Sequence, residues 1–174
     1  NATAATGPWL RDIGRAWNLA AGNGEAYYHT SIPVIYSPAF YTEHSDWMEN
    51  RKKLLVPVFS NRAFIEAMIR LTDSSENYDV RSRLGEVKCP TLIVSSRQDY
   101  LTPMEEQKYL ADRIPDSHHV VIEHSGHASM YEQPLLFASL VIFMLLGYPV
   151  AFTLAFTGVF WGLVGMGLGV FQPN

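Results

Sequence analysis

The chain has 174 residues, 48% of them hydrophobic and 17% charged, with a formal net charge of −4. That length allows one domain with a core, or a domain with an appendage, and the mild acidity gives no reason to expect nucleic acid as a partner. A single cysteine, Cys89, excludes an intramolecular disulfide.

The distribution of charge says more than its total. Every Lys, Arg, Asp and Glu lies between Arg11 and Glu132, so residues 133–174 form a separate compositional zone. The N-terminus has no basic region followed by an apolar run, so no signal peptide is expected. Starting on Asn1 rather than Met, the chain reads as a piece of something longer. Asn1-Ala2-Thr3 matches a glycosylation sequon by that tripeptide alone.

In chain order, residues 1–7 are small and polar, a loop or a frayed strand end. Pro8 to Ala21 reads as a helix: Pro8 suits the first turn, Leu10, Ile13 and Trp17 share a face, and Gly22 is a stop signal. Residues 22–46, rich in Tyr, Pro, Ser and Gly, resist a single assignment. A second helix is expected from Trp47 to Leu55, ending before Pro57. A third runs from Asn61 to Leu71 with Ser60 as its N-cap, and Phe64, Met68 and Leu71 on one face. Short helices with aromatic loops suit a cap over an active site, although aromatics also dominate ordinary helical cores.

The polar stretch 73–88 leads into an expected strand, Thr91 to Ser95, a short apolar run of the kind found in a covered parallel sheet. Cys89, just before Pro90 at the mouth of this strand, reads as a packed, inert thiol. Thr102-Pro-Met-Glu105 then has the form of a capping box opening a helix to about Arg113. His118 to Glu123 is the next strand, followed by a glycine turn carrying His127. Strand, helix and strand make one crossover unit, which is right-handed by rule.

From Leu135 to Phe171 there is no charged residue. Because roughly 20 apolar residues span a bilayer, residues 138–171 are expected to associate with a membrane. Gly147-Tyr148-Pro149 interrupts the run, as membrane helices tolerate when neighbours satisfy the freed backbone groups. No nearby Lys or Arg biases the orientation.

Asp99 and His127 carry the chemistry. Each follows its own strand, where open α/β sheets place functional loops. Such an Asp accepts from one imidazole nitrogen, fixing the tautomer and stabilising the imidazolium formed when the other nitrogen takes a proton. His118, His119, His124 and His127 are close in sequence, but neighbours on a strand point to opposite faces. No metal site is expected from them.

On these residues, 1 to about 140 resemble the C-terminal half of a capped α/β-hydrolase, of the kind that includes esterases and 3-oxoadipate enol-lactonases. CPTLIVSSRQDYLTP is similar to that family's acid strand and loop, and HSGHASMYEQP to its histidine loop, with Glu132 and Pro134 following. The resemblance implies Asp99 as triad acid, His127 as general base, residues 8–80 as a cap shaping the pocket, a small ester or lactone substrate, and no cofactor.

It also implies a G-x-S-x-G nucleophile elbow upstream of the cap, and no such motif occurs in the chain. Ser95, Ser96 and Ser125 lie near the right loops, but none is expected on an elbow. The nucleophile, the oxyanion hole and the earlier strands would therefore lie outside this chain, which is not expected to turn over an ester alone.

The tail resembles the N-terminal membrane segment of the large permease subunit of tripartite ATP-independent periplasmic (TRAP) transporters, most specifically through Gly147-Tyr-Pro-Val-Ala-Phe152. The expected organisation is α/β: a hydrolase C-terminal part over 1–137 (cap about 8–80, acid and histidine strands about 90–134) and an apolar, transmembrane segment over 138–174. The alternatives are a transporter segment carrying a hydrolase passenger, or a fusion with no activity. Location follows the tail: membrane-associated if it inserts, cytoplasmic otherwise.

Overall fold

The computed structural model describes residues 2–145. Of these, residues up to Ala128 form one compact unit and residues 129–145 belong to another.

The first unit begins with five helices: α1 (Pro8–Ala20), α2 (Gly24–Ile35), α3 (Pro38–Glu43), α4 (Ser45–Phe59) and α5 (Arg62–Ser75). Pro8 occupies the first turn of α1, where its missing N–H has no cost. The stretch that resisted assignment is two helices. Asn23 accepts from Ala26 N at 3.0 Å to start α2, and Ser37 from Phe40 N at 3.2 Å to start α3. α4 does not end before Pro57 but runs to Phe59. A proline this late removes one helical hydrogen bond, while Phe59 is buried, its ring 5.0 Å from Tyr27.

Nor is Ser60 the cap of α5. Its hydroxyl donates back to Val56 O at 2.8 Å, and Asn61 caps instead, accepting from Ala63 N and Phe64 N. The helices enclose Tyr27, Tyr28, Ile32, Met48, Phe59 and Ile65. Three of these are large aromatics, and burial of apolar surface is what holds such helices together.

A 3-10 helix (Arg81–Glu86) precedes strand β1 (Thr91–Ser96), helix α6 (Met104–Ala111) and strand β2 (Ser117–Ile122). β1 and β2 pair in parallel, from Thr91 opposite Ser117 to Ser96 opposite Ile122. Among the described residues the sheet has these two strands. A second core of Ala4, Leu84, Ile93, Leu110 and Ile114 joins α6, β1 and the N-terminal segment. That segment is tied in by Thr6 N to Tyr78 O and Val80 N to Ala4 O, at 2.9 and 2.8 Å. Cys89, expected to be packed, is exposed, because it lies in the loop ahead of β1 and not in the strand.

In the second unit, α7 (Ser129–Glu132) is followed by α8 (Pro134–Leu145). Gln133 N bonds Ser129 O and Phe137 N bonds Gln133 O, at 2.8 and 2.9 Å, linking the two helices. α8 carries no charged residue and one polar one, Ser139, but its 12 residues rise only about 18 Å. Among the described residues no helix is long and apolar enough to cross a membrane. Most of the expected membrane segment, including Gly147-Tyr148-Pro149, lies outside the described residues.

Candidate active site

The parallel pairing of β1 and β2 sends both following loops out from the same end of the sheet. Backbone bonds extend the pairing past the strands: Arg97 N to Ile122 O and Gln98 N to Ser125 O, both at 2.9 Å. The acid loop and the histidine loop therefore run side by side, and Asp99 and His127 meet.

Asp99 has a fully buried side chain. Burying a carboxylate is costly unless donors replace its water, and four do so here. Leu101 N and Thr102 N donate to Oδ1 at 2.9 and 2.8 Å. The Thr102 hydroxyl and His127 Nδ1 donate to Oδ2, each at 3.0 Å. Thr102 Oγ1 also lies 3.4 Å from His127 Nδ1, so acid, hydroxyl and imidazole form one cluster. With Nδ1–H turned to a carboxylate, the basic lone pair of the ring is on Nε2.

This geometry displaces the expected capping box. Pro103 is the N-cap of α6 and makes no side-chain cap bond, because the Thr102 hydroxyl that would have capped is given to Asp99. His127 keeps 30% of its side-chain surface exposed. Its loop turns through His124, which has a left-handed φ of 54°, a conformation several-fold enriched in His among non-glycine residues. The loop is anchored by Ala128 N donating to Ile35 O at 3.1 Å, which ties it to the end of helix α2.

The three serines weighed from the sequence are all fully buried. Ser95 and Ser96 lie in β1. The Ser95 hydroxyl is 2.5 Å from His119 Nε2; Ser96 Oγ has no partner among the described residues. The Ser125 hydroxyl donates to Gly126 O at 3.2 Å. None is presented on a strand-to-helix elbow. His118 is exposed while His119 turns inward to Ser95, as strand alternation requires. Burial holds His119 below the usual imidazole range; Lys108 adds to this and Asp112 opposes it.

The residue least visible in sequence is Thr102, which serves Asp99 through both backbone and side chain. An Asp followed three residues later by Thr was a usable signal, since such side chains bond local backbone, but the capping-box pattern competes for the same hydroxyl.

Residues 59–135 match the family model described as TAP-like protein. Over 70 residues the chain is 33% identical to the putative carbamate hydrolase RutD of Pseudomonas savastanoi pv. phaseolicola, covering 40% of this chain and 27% of the relative. It is 54% identical to MGS-M2, an α/β-hydrolase enzyme from a Medee basin deep-sea metagenome library, with a TM-score of 0.81 over 85% of this chain and 54% of that one. The enol-lactonase of Burkholderia xenovorans LB400 shares the fold at 15% identity, with a TM-score of 0.65 over 82% of this chain and 52% of that one. The fold of the described residues is that of an α/β-hydrolase. The chain spans about half the length of these structures, and less of the curated relative. The family match ends at residue 135, and these comparisons lend no support to the transporter resemblance of the tail.

Proposed function

We propose that the chain supplies the acid and general base of a hydrolase acting on small ester or lactone bonds, or on the related carbamate bond, with the nucleophile in a half that precedes Asn1. The observation that carries this is the buried, four-donor Asp99 bonded to His127 Nδ1.

In this reading a hydroxyl nucleophile from the preceding half attacks the substrate carbonyl while His127 Nε2 takes its proton. Asp99 stabilises the resulting imidazolium and holds its ring in place without itself being protonated. The imidazolium then gives that proton to the leaving group as the carbonyl–leaving-group bond breaks. A water, deprotonated by the same nitrogen, attacks the acyl-enzyme; His127 returns the proton to the nucleophile as the acid is released. Residues 8–80 shape the pocket, and residues 1–137 constitute the hydrolase part. RutD-like relatives and the enol-lactonase fold neighbour support this range of carbonyl substrates.

The test is co-expression of the 174-residue chain with the segment encoded immediately upstream, assayed on p-nitrophenyl esters and on a lactone. Hydrolysis is expected from the pair and not from the chain alone. Asp99→Asn should lower kcat by about 10⁴-fold and His127→Ala by at least as much. Rates equal to wild type in either variant would refute the assignment, as would an upstream segment with no strand–elbow–helix bearing Ser, Cys or Asp.

A second reading is favoured by one observation, the absence of charge from residue 133 to the end. In it, residues 138–174 are a separate membrane-associating segment carrying the hydrolase part.

A further inference from the structure

Gln107 on α6 takes no part in the chemistry above, yet it is fully buried. Its Nε2 donates to Ala2 O at 2.6 Å and to Thr102 O at 3.1 Å. Both partners are carbonyl oxygens, which cannot donate, so the NH₂ end of the amide must face them. That choice leaves Oε1 buried with no partner among the described residues. An unpaired buried carbonyl costs stability, and Met or Leu would fill the same space without that cost. Packing therefore does not account for glutamine here; the two bonds it donates do.

The significant partner is Thr102. Its backbone N–H and its hydroxyl both face Asp99, and its hydroxyl comes within 3.4 Å of His127 Nδ1. Its carbonyl is held by Gln107. A residue gripped through its carbonyl cannot rotate about its own backbone without releasing that bond, so the direction of its N–H and hydroxyl is set as well. Ala2, the other partner, belongs to the N-terminal segment whose Ala4 and Thr6 bond Val80 and Tyr78.

We propose that Gln107 is a positioning residue for the Asp99–His127 pair: it fixes the orientation from which Thr102 grips Asp99, and registers that grip against the segment preceding α1. This rests on the reading of Asp99 and His127 given above. Gln107 touches neither residue directly and acts through Thr102.

The experiment uses the full chain and NMR amide exchange. The probes are Leu101 and Thr102, whose N–H groups bond Asp99, with the amides of β1 and β2 as reference, and the imidazole Nδ1–H signal of His127. Gln107→Met keeps an unbranched side chain of similar length but cannot donate, and Gln107→Glu keeps the shape but donates one bond at most, as the neutral acid. Both are expected to exchange at Leu101 and Thr102 about tenfold faster, as loss of one to two net hydrogen bonds allows. The strand amides should stay as in wild type and the His127 signal should broaden. Wild-type exchange at Leu101 and Thr102 would overturn the proposal. So would acceleration of those two together with the strands, which would make Gln107 a general structural residue. Asp99→Asn separates this from the site itself: if that variant keeps the wild-type His127 signal, the pairing is wrong and the positioning role falls with it.

Discussion

At the residue scale, Asp99 and Tyr27 show opposite treatments of a buried polar group. Asp99 accepts from four donors, whereas the Tyr27 hydroxyl is buried with no partner among the described residues. Burial alone pushes the Tyr27 phenol above its usual range. Its ring contributes by packing on Phe59 and Phe64, and its hydroxyl contributes only a desolvation cost. Tyr27→Phe should leave the urea midpoint unchanged or raise stability by up to about 1 kcal/mol. A clear loss would show that the hydroxyl has a partner.

His119 gives a pH dependence with a definite sign. Its folded value lies below the ordinary 6.5, with burial the first cause, so folding favours the neutral ring that accepts from Ser95. The unfolded chain takes up the proton first as pH falls. The stability His119 contributes is thus complete above about 6.5 and is lost as pH drops through its lowered folded value. Urea midpoints at about pH 7.5 and 5.5 should therefore fall further for wild type than for His119→Gln. Equal falls would remove His119 from the acid sensitivity.

At the scale of elements, the helical part of the first unit depends on a close approach of α2 to α4. A Cβ at Gly24 would collide with Val56 O and the Ser60 hydroxyl, while one at Gly7 would meet nothing within 4 Å. Val56 O is backbone that also accepts from Ser60 N and Oγ, so it cannot move aside cheaply. Gly24→Ala should cost about 1–3 kcal/mol in thermal or urea unfolding, with Gly7→Ala as a control close to wild type. The same junction explains why α4 continues beyond Pro57: its last turn is held by Phe59 in the core and by Ser60 closing onto Val56. α2 was hard to see beforehand because its apolar residues, among them Ala26, Tyr27, Tyr28, Ile32 and Ile35, do not form one stripe. A helix buried on several sides loses the amphipathic period that reveals it.

At the scale of the whole molecule, the two parallel strands among the described residues are a small platform for five helices. Among the described residues neither strand has a neighbour on its outer side, and unpaired edges invite association. Union with a preceding half would cover such an edge. The tail is a separate question, because α8 alone is too short to span a bilayer. Under the second reading, sedimentation of lysed cells should carry the full chain to the membrane fraction and a chain truncated after residue 137 to the supernatant. Recovery of both in the supernatant without detergent would end that reading.

The order of strand, acid loop, helix, strand and histidine loop over residues 90–134 was legible from sequence, because apolar runs bounded by Pro and Gly are local signals. So were α1 and the span of α5, although Leu71, expected on the packed face of α5, is exposed and Ile65 is buried instead. What surrounds Asp99 was not. His127 meets Asp99 only because β1 and β2 pair in parallel, and Gln107 reaches Ala2 only because the N-terminal segment packs on α6. Two local patterns, the helix cap and the Asp–Thr turn, compete for one hydroxyl. Short-range spacing specifies which elements form. The tertiary packing decides which of two possible partners a polar group takes, because buried donors and acceptors must be matched across the whole site at once.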